Sequence, residues 1–234
     1  LFAAVFKDAL AQNGITVAGR ARPMHYMDRE VAPFNPAEYV ELGSVQSLPF
    51  RDIIRAVQKP SQNLYTDLVL EHIGAGMLDG KSEASGEQAG IRELGRFLQK
   101  AGIPRGQTIF EEGSGLSRDN LTSPNATVTL LTYMSRHKDA EVYINALPIA
   151  GVDGTLRRRM KGTPAQGNVR AKTGTLRWAS SMSGYVTSAA HERLVFSMML
   201  NRYSGGSKTE DLDAIAELLA GFNGHTPVEV SGGH

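Results

Sequence analysis

The chain has 234 residues, of which 41% are hydrophobic and 21% are charged, as in an ordinary globular protein that can bury a core. Its 25 Lys and Arg nearly balance its 24 Asp and Glu, so it has no broad positive field for polyanions, and nucleic acid is not expected as a partner. The absence of Cys excludes disulfides, thiolate nucleophiles and Cys-based zinc sites, and the longest apolar runs reach about a third of the ~20 residues that cross a membrane.

The first predicted element is a helix that the sequence enters without a capping signal. Apolar residues recur at helical spacing from Leu1 to Leu10, and Gly14 ends the pattern. A chain that opens inside a helix looks like the C-terminal part of a longer protein, and we expect an N-terminal segment to precede it. Residues 20–43 contain three Pro and predict a loop, with a short strand toward residues 40–45.

Two consecutive helices are predicted in the next region. Ser47 is expected to cap the first helix, which ends at residues 59–60. The second helix has an apolar side over residues 64–73 and is expected to stop at residues 74–76, which read Gly-Ala-Gly. Residues 61–63, Ser-Gln-Asn, therefore form a tight joint between two helices.

The remaining elements change from helices to strands. Residues 87–100 and 124–135 predict two amphipathic helices, separated by the Gly-rich turn of residues 112–118. The run Arg157-Arg158-Arg159 predicts a solvated basic surface. Turn signals between runs rich in β-branched and aromatic residues predict three antiparallel strands, and a last amphipathic helix is expected to cover one face of their sheet. The strands are predicted over residues 169–176, 182–188 and 193–201, and the helix over residues 209–222.

This order of elements predicts an α+β fold, in which a helical part is followed by antiparallel strands and a closing C-terminal helix. Residues 1–227 carry these elements. Residues 228–234, which are rich in Gly and have no periodic pattern, are expected to form a tail.

The most specific short motif is Lys172-Thr173-Gly174-Thr175, in the first predicted strand. A Gly inside a strand leaves room for another backbone alongside it, the Lys offers a positive charge, and the two Thr hydroxyls can bind a carboxylate. The alternative interpretation is an edge strand weakened by its Gly, with a solvated Lys.

A second candidate motif, Ser61-Gln62-Asn63, lies in the joint between helices, where a hydroxyl and an amide can both point into a cleft. The alternative is that Ser61 only caps the helix that follows it. Ser123, in the similar triplet Ser123-Pro124-Asn125, is expected to have that capping role. The Lys-Thr-Gly strand later in the chain favours the cleft for Ser61, because two half-sites for one substrate must converge. We therefore expect Nζ of Lys172 to lie within a hydrogen bond, or one bridging water, of Oγ of Ser61.

A Ser-x-Asn joint followed by a Lys-Thr-Gly strand resembles serine enzymes that bind penicillin. Longer segments are similar to the D-alanyl-D-alanine carboxypeptidase/endopeptidase family, low-molecular-mass penicillin-binding proteins with extra domains inserted in the catalytic domain. These segments are residues 59–65, 113–118, 147–156 and 171–176. The resemblance implies a penicillin-binding-protein/β-lactamase-like transpeptidase fold, incomplete at its N-terminal side. Residues 1–227 would then be the C-terminal part of the catalytic domain.

The nucleophile of this family, the Ser of a Ser-x-x-Lys motif, is the element that the chain lacks. In the family this motif lies upstream of Ser-x-Asn, and none precedes Ser61. The chain's single Ser-x-x-Lys, residues 135–138, lies between the other two motifs, and we interpret it as a solvated helix end. The nucleophile is therefore expected on an N-terminal segment outside this sequence.

The resemblance implies a serine-type peptidase that cleaves stem peptides ending in D-alanyl-D-alanine through an acyl-enzyme, is inhibited by penicillin and needs no cofactor. Ser61 would relay a proton toward the leaving amine. Asn63 would donate a hydrogen bond to the acyl side of the substrate, and Lys172 would keep the local field positive.

The resemblance also implies residues that bind the substrate. Thr173 and Thr175 would bind its terminal carboxylate, and the N–H of Thr175 would form half of the oxyanion hole. Gly174 would let the peptide pair with the strand as an added strand. Leu116 and Arg118 would border the substrate's side chain.

Two other functions remain open, a non-catalytic relative that binds cell-wall peptide and a class A β-lactamase-like hydrolase. The six His show no paired ligand spacing, so no metal site is predicted. The expected partners are peptidoglycan peptides ending in D-Ala-D-Ala, β-lactams and the N-terminal half of the same enzyme. The resemblance places the protein in the periplasm or outer cell envelope.

Overall fold

The computed structural model describes residues 2–22, 35–41, 43–78, 85–206 and 208–224. These residues fall into two compact units, the first ending at Ser47 and the second beginning at Leu48. The assignment of residues 1–227 to one catalytic domain stays a prediction. The predicted tail, residues 228–234, lies outside the described residues.

The first unit contains a helix, α1 (Phe2–Gln12), where the apolar spacing predicts it. The rings of Phe2 and Phe6 stack along α1 with centroids 6.1 Å apart. A 3₁₀ turn follows at Pro36–Glu38. The prediction of a short strand toward residues 40–45 is wrong for the described residues of that range, because they pair with no other described strand.

The second unit opens with two helices, α2 (Phe50–Gln58) and α3 (Asn63–Ala75), as the sequence predicts. The prediction that Ser47 caps α2 is wrong. Pro49 occupies the N-cap position, and α2 begins at the next residue. The predicted stop at residues 74–76 is confirmed, since α3 ends at Ala75 and Gly76 is its C-cap.

Three further helices are α4 (Gly86–Lys100), α5 (Pro124–Ser135) and α6 (Ala140–Ala146). The start of α4 is a capping box of Ser85 and Gln88, and Ser123 caps α5 by accepting a hydrogen bond from the Ala126 N–H, as predicted. Helix α6 was not predicted from the sequence, because its seven residues are too few to show a helical period. None of the helices that the structure describes is long and apolar enough to cross a membrane.

The predicted strands form one antiparallel sheet in the described part of the chain, with the order β1-β2-β3. The strands are β1 (Arg170–Leu176), β2 (Ala179–Thr187) and β3 (Arg193–Asn201), so β2 begins three residues earlier than predicted. In the register, Lys172 lies opposite Ser183, and Gly174 lies opposite Ser181.

The predicted closing helix, α7 (Thr209–Gly221), covers one face of this sheet. Its Leu212 and Ala216 pack with Met182 and Phe196 of the strands, and all four side chains are buried. The opposite face packs Tyr185 and Val195 against residues of α5 and α6 and the segment after α6. The sheet is therefore sandwiched between helices, which confirms the predicted α+β arrangement.

The prediction of a solvated surface over residues 157–159 is wrong for Arg159. Its Nη2 lies 2.7 Å from Oδ1 of Asp213, and its Nε lies 3.0 Å from both oxygens of that carboxylate. The two side chains are mostly buried. Burial is tolerated because the planar fork of the guanidinium matches the carboxylate, so that its hydrogen bonds replace those the carboxylate would make with water. This ion pair ties α7 to the segment before β1.

Candidate active site

The two predicted motifs meet in space although 111 positions separate them in the chain. Nζ of Lys172 donates a hydrogen bond of 2.7 Å to Oγ of Ser61. A second bond of 2.8 Å runs from Nζ to the carbonyl oxygen of Thr173. The prediction that these two side chains lie within hydrogen-bond distance is therefore confirmed.

Ser61 has a left-handed backbone, with φ of +64°, which a residue with a Cβ adopts rarely and at a cost. Gln62 is the N-cap residue of α3, and no side chain of the described residues caps that helix. The interpretation of Ser61 as a simple helix cap is thus wrong. The turn instead directs its hydroxyl to Lys172, and Asn63 follows as the first residue of α3.

The side chain of Lys172 is largely removed from solvent, so the alternative of a solvated Lys on a weakened strand is wrong. Burial lowers the pKa of Lys172 from its ordinary value of 10.5, because the charged ammonium loses hydration. Hydrogen bonds to Ser61 and Thr173 hold this amine in place. The ammonium of Lys172 therefore loses its proton more readily than that of a surface lysine.

An ion pair fixes the joint that carries Ser61. Nζ of Lys59 lies 2.7 Å from Oδ2 of Asp153 and donates a hydrogen bond of 2.6 Å to the carbonyl oxygen of Leu147. Asp153 also accepts a hydrogen bond of 2.9 Å from the N–H of Ile149. Because Lys59 is two residues before Ser61, this pair attaches the joint to the turn of residues 149–155.

The same turn is attached to β1. The N–H of Thr155 donates a hydrogen bond of 3.1 Å to the carbonyl oxygen of Lys59, and the hydroxyl of Thr155 lies 2.7 Å from that of Thr173. Gly154 has φ of +57°, and a Cβ there would lie 2.6 Å from the carbonyl oxygen of Lys59, so only Gly allows this approach. The turn thus connects the joint that carries Ser61 with the strand that carries Lys172.

The strand that carries Lys172 is an edge of the sheet, since β1 pairs along its length with β2 alone among the described strands. Thr173 is partly exposed, and Gly174 and Thr175 are exposed. A Cβ on Gly174 would lie 2.6 Å from Oγ of Ser181, the residue opposite it on β2. The Gly therefore also makes room for a hydroxyl of the neighbouring strand.

The loop that holds Leu116 and Arg118 is organised around one carboxylate. Glu112 accepts hydrogen bonds from the backbone N–H groups of Ser114, Gly115 and Ser117, and from the side chains of Ser114 and Asn120. Burial by itself would raise the pKa of Glu112, but these bonds lower it to about 2. The loop therefore wraps a carboxylate that stays ionised.

This loop is joined to both sides of the site. The N–H of Gly113 donates a hydrogen bond of 2.9 Å to Oδ1 of Asp67, on α3. Nη2 of Arg118 donates a bond of 2.8 Å to the carbonyl oxygen of Arg177, in the turn between β1 and β2. The side chain of Leu116 is 56% exposed, so it is available to a ligand.

The only Ser-x-x-Lys motif of the sequence lies apart from these contacts. Its Ser135 is the last residue of α5, and its hydroxyl donates a hydrogen bond of 2.8 Å to the carbonyl oxygen of Thr132 in the same helix. This local bond agrees with the interpretation of residues 135–138 as a helix end.

The residues that hold the site together were not predicted from the sequence. Lys59 and Asp153 belong to segments similar to the family, but nothing in a single sequence links two charges that are 94 positions apart. Glu112 and Asp67 were missed because single acidic residues have no spacing signal. An acidic residue directly before a Gly-Ser-Gly turn is a local signal that could have indicated Glu112.

A family model described as "D-Ala-D-Ala carboxypeptidase 3 (S13) family" matches residues 1–222. The chain belongs to this family. It is 33% identical to the D-alanyl-D-alanine carboxypeptidase of Actinomadura sp. (strain R39) over 234 residues, covering 96% of this chain and 41% of that protein. It is also 33% identical to D-alanyl-D-alanine carboxypeptidase DacB of Haemophilus influenzae, covering 89% of this chain and 44% of that protein.

The similarity extends to solved structures. Penicillin-binding protein 4 (dacB) of Haemophilus influenzae, complexed with a β-lactam, aligns with a TM-score of 0.71 and 28% identity, over 93% of this chain and 49% of that one. The TLA-3 extended-spectrum β-lactamase aligns with a TM-score of 0.54 at 18% identity, which shows the fold alone. The predicted penicillin-binding-protein/β-lactamase-like fold is confirmed. The chain spans about two fifths of the curated relatives that it matches.

Proposed function

We propose that this chain is the C-terminal part of the catalytic domain of a serine-type D-alanyl-D-alanine carboxypeptidase/endopeptidase. The enzyme acts on peptidoglycan stem peptides through an acyl-enzyme, without a cofactor, and is inhibited by penicillin. The observation that carries the proposal is the 2.7 Å contact between Lys172 and Ser61, which joins two distant motifs in one site. Membership in the S13 family, whose similar members are named carboxypeptidases, supports the same reaction.

The proposal requires a nucleophile from outside this sequence. We assign it to a Ser-x-x-Lys motif on an N-terminal segment of the same enzyme. The short share of the relatives that the chain covers supports this assignment. Ser135 is a poor substitute, because its hydroxyl bonds to a carbonyl oxygen of its own helix.

In the proposed reaction, the nucleophilic Ser gives its proton to the Lys of its own Ser-x-x-Lys motif as its oxygen bonds to the carbonyl carbon of the penultimate D-Ala, and the peptide C–N bond breaks. The leaving nitrogen takes a proton and departs as D-alanine. Ser61 supplies that proton: its oxygen accepts a hydrogen bond from Lys172, so its own hydrogen is free to point at the nitrogen. A water molecule then adds to the acyl carbon through its oxygen, and one of its protons passes to the departing Ser oxygen, which regenerates the hydroxyl.

Lys172 supports this relay in two ways. As a cation it favours negative charge on its neighbours and attracts the terminal carboxylate of the peptide. Because burial lowers its pKa, it also replaces the proton that Ser61 gives up more readily than an exposed lysine would.

The substrate is proposed to lie along β1. The hydroxyls of Thr173 and Thr175 bind its carboxylate, and the N–H of Thr175 supplies half of the oxyanion hole. The exposed edge at Gly174 allows the peptide to pair with β1 as an added strand. Asn63, at the start of α3, donates a hydrogen bond to the acyl side of the peptide.

Leu116 and Arg118 are proposed to border the side chain of the substrate. The hydrogen bonds from Gly113 to Asp67 and from Arg118 to Arg177 support this role, because they hold the loop to both α3 and the end of β1. The proposed partners are stem peptides ending in D-Ala-D-Ala, β-lactams and the N-terminal half of the enzyme. We propose the periplasm or outer cell envelope as its location, where that substrate lies.

Labelling of the complete enzyme with fluorescent penicillin tests the function. A long-lived covalent label on a Ser of the N-terminal segment, located by mass spectrometry, would support the peptidase. No label would favour a relative that only binds cell-wall peptide, and rapid release of the label would favour a β-lactamase-like hydrolase. Label on Ser135 would contradict the assignment of the nucleophile.

A further inference from the structure

Thr155 is an exposed residue outside the sheet whose hydroxyl lies 2.7 Å from the hydroxyl of Thr173. We infer that Thr155 is a positioning residue that commits the Thr173 hydroxyl to donate its proton to the terminal carboxylate of the substrate. This inference rests on the proposed function, because it concerns the same substrate and the same site.

The protons of this pair determine which hydroxyl can bind a carboxylate. Two hydroxyls in contact share one hydrogen bond, in which one donates and the other accepts. A carboxylate only accepts, so it is bound by whichever O–H is left over. When Thr155 donates to Thr173, the Thr173 proton is free for the substrate, and the bond that its oxygen accepts strengthens it as a donor.

The backbone of Thr155 is held where this bond requires it. Its N–H donates to the carbonyl oxygen of Lys59 at 3.1 Å, and the ammonium of Lys59 pairs with Asp153 at 2.7 Å. Thr155 is therefore anchored to the segment that carries Ser61 while its hydroxyl contacts the strand that carries Lys172. Its position therefore depends on both the joint that carries Ser61 and the strand that carries Lys172.

Other threonines of the described chain show the ordinary local role of a Thr hydroxyl. Thr66, Thr129 and Thr163 each donate to a backbone carbonyl oxygen three or four residues earlier. Thr155 instead contacts the side chain of a residue 18 positions away, in the proposed carboxylate site. Its hydroxyl thus serves Thr173 rather than the backbone of its own turn.

The test compares Thr155→Val, which keeps the shape of the side chain and removes the hydroxyl, with the wild type and with Thr155→Ser in the complete enzyme. Thr129→Val is the matched control, since it removes a hydroxyl that bonds only within α5. The measurement is the second-order rate constant of acylation by benzylpenicillin and by its methyl ester, which lacks the carboxylate charge. Circular dichroism and thermal unfolding check that each variant is folded.

We expect Thr155→Val to lower acylation by benzylpenicillin about tenfold and to change acylation by the ester less than twofold, because one hydrogen bond to a charged group is weakened. Thr155→Ser should restore the preference for the carboxylate, and Thr129→Val should leave both rates unchanged. An equal loss with both compounds, or no loss with either, would overturn the inference. If the wild type were not acylated at all, the proposed function itself would fail, and this inference with it.

A double-mutant cycle keeps the inference testable should Thr155→Val unfold the protein at the assay temperature. Thr155→Ala and Thr173→Val are then measured singly and together with benzylpenicillin at a lower temperature. If Thr155 acts through Thr173, the double variant loses no more than Thr173→Val alone. Losses that multiply would show independent roles and would overturn the inference.

Discussion

At the residue scale, Lys172 is both hydrogen-bonded to Ser61 and partly buried, and the two properties have different consequences for its charge. It lies within hydrogen-bond distance of Ser61, as a proton relay requires, and its burial makes the charged form costly. The left-handed turn at Ser61 adds backbone strain at the same place. Strain and a displaced pKa together are features that proteins retain at reaction centres.

Lys172→Ala should lower acylation of the complete enzyme by penicillin about 100-fold or more, because the substrate carboxylate and the developing charge lose their cation. The measurement is the rate of covalent labelling at several penicillin concentrations. Lys100→Ala, at the exposed end of α4, is the control and should leave the rate unchanged. Unchanged labelling of Lys172→Ala would show that β1 is not part of the reaction centre.

The lowered pKa of Glu112 predicts how the stability of the protein depends on pH. Its pKa is lowered from 4.5 to about 2 in the folded protein, so the unfolded chain binds more protons between these values. The stability that Glu112 contributes is therefore fully present above pH 4.5 and is lost as the pH falls toward 2.

Glu112→Gln should be less stable than the wild type at pH 7 by roughly 1 kcal/mol, after allowance for solvent screening. The difference should shrink as the pH falls from 4.5 toward 2, because the wild-type carboxylate is then neutralised. Denaturant unfolding of both proteins at several pH values measures it. A difference that does not change with pH would mean that the loop does not depend on the charge.

At the scale of elements, glycines determine how closely α3 and α4 pack. A Cβ on Gly74 would overlap the carbonyl oxygen of Gly86 and lie 2.5 Å from the backbone nitrogen of Gly90. A Cβ on Gly90 would overlap the carbonyl oxygen of Leu70. The two helices therefore meet backbone to backbone, which any larger residue prevents.

Gly74→Ala should destabilise the protein by at least about 3 kcal/mol, because the clash is with backbone that must shift. Gly95→Ala is a matched control on α4, where a Cβ meets nothing within 4 Å, and it should stabilise by about 0.5–1 kcal/mol. Thermal unfolding of the two variants measures both effects. If both shift the melting temperature in the same direction, the close packing of α3 and α4 is not what requires Gly74.

The Lys59–Asp153 pair acts between elements as well, since it joins the end of α2 to the turn before β1. Asp153→Asn keeps an oxygen for the N–H of Ile149 but removes the charge that faces Lys59. It should cost about 2 kcal/mol of stability, because the mostly buried ammonium loses its partner. Glu93→Gln, in the exposed pair with Arg96, should cost less than about 0.5 kcal/mol.

Asp153→Asn should also slow acylation of the complete enzyme at temperatures where it stays folded, because Ser61 and Lys172 lose a common support. Denaturant unfolding and penicillin labelling measure the two effects on the same samples. A variant as stable and as fast as the wild type would show that the hydrogen bonds of the turn hold the site without this charge.

At the scale of the whole molecule, the second unit exposes large apolar side chains on α2 and α3. Leu64 and Leu68 are 64% and 51% exposed and lie one helical turn apart on α3, and Phe50, at the start of α2, is 57% exposed. Neighbouring exposed apolar side chains such as Leu64 and Leu68 are typical of a surface that contacts another protein segment. In the proposed enzyme, that segment is the N-terminal half with the nucleophile.

The chain expressed by itself should therefore aggregate, and co-expression with the N-terminal half of the complete enzyme should prevent this. Replacing Leu64 and Leu68 together by Gln should raise the yield of unaggregated chain and weaken its association with that half. Leu218→Gln, at an exposed position of α7, is the control. Size-exclusion chromatography and penicillin labelling of the mixed fragments measure the result. A monomeric wild-type chain labelled through Ser135 would contradict the prediction.

Much of the fold of the second unit could be predicted, because the apolar residues of a helix or a strand recur every few positions and the pattern is visible in a single sequence. The predicted bounds of α5 and β3 match the structure, and α4 and α7 differ by one residue. The predictions were wrong or incomplete where the local pattern was short or ambiguous. Ser47 has the chemistry of a cap, yet Pro49 starts α2, and α6 is too short to repeat its pattern.

The candidate site divides in the same way. From the sequence, Ser61 and Lys172 could be recognised as candidates because they stand in short motifs of serine enzymes that bind penicillin, and the longer segments around them indicated the family. The pairing of Lys59 with Asp153 and the contact of Thr155 with Thr173 follow from the folded arrangement and have no signal in the sequence. The two kinds of feature differ in the distance along the chain over which they act. Backbone periods and motifs act over a few neighbouring residues, whereas an ion pair across 94 positions exists only once packing has brought the two segments together.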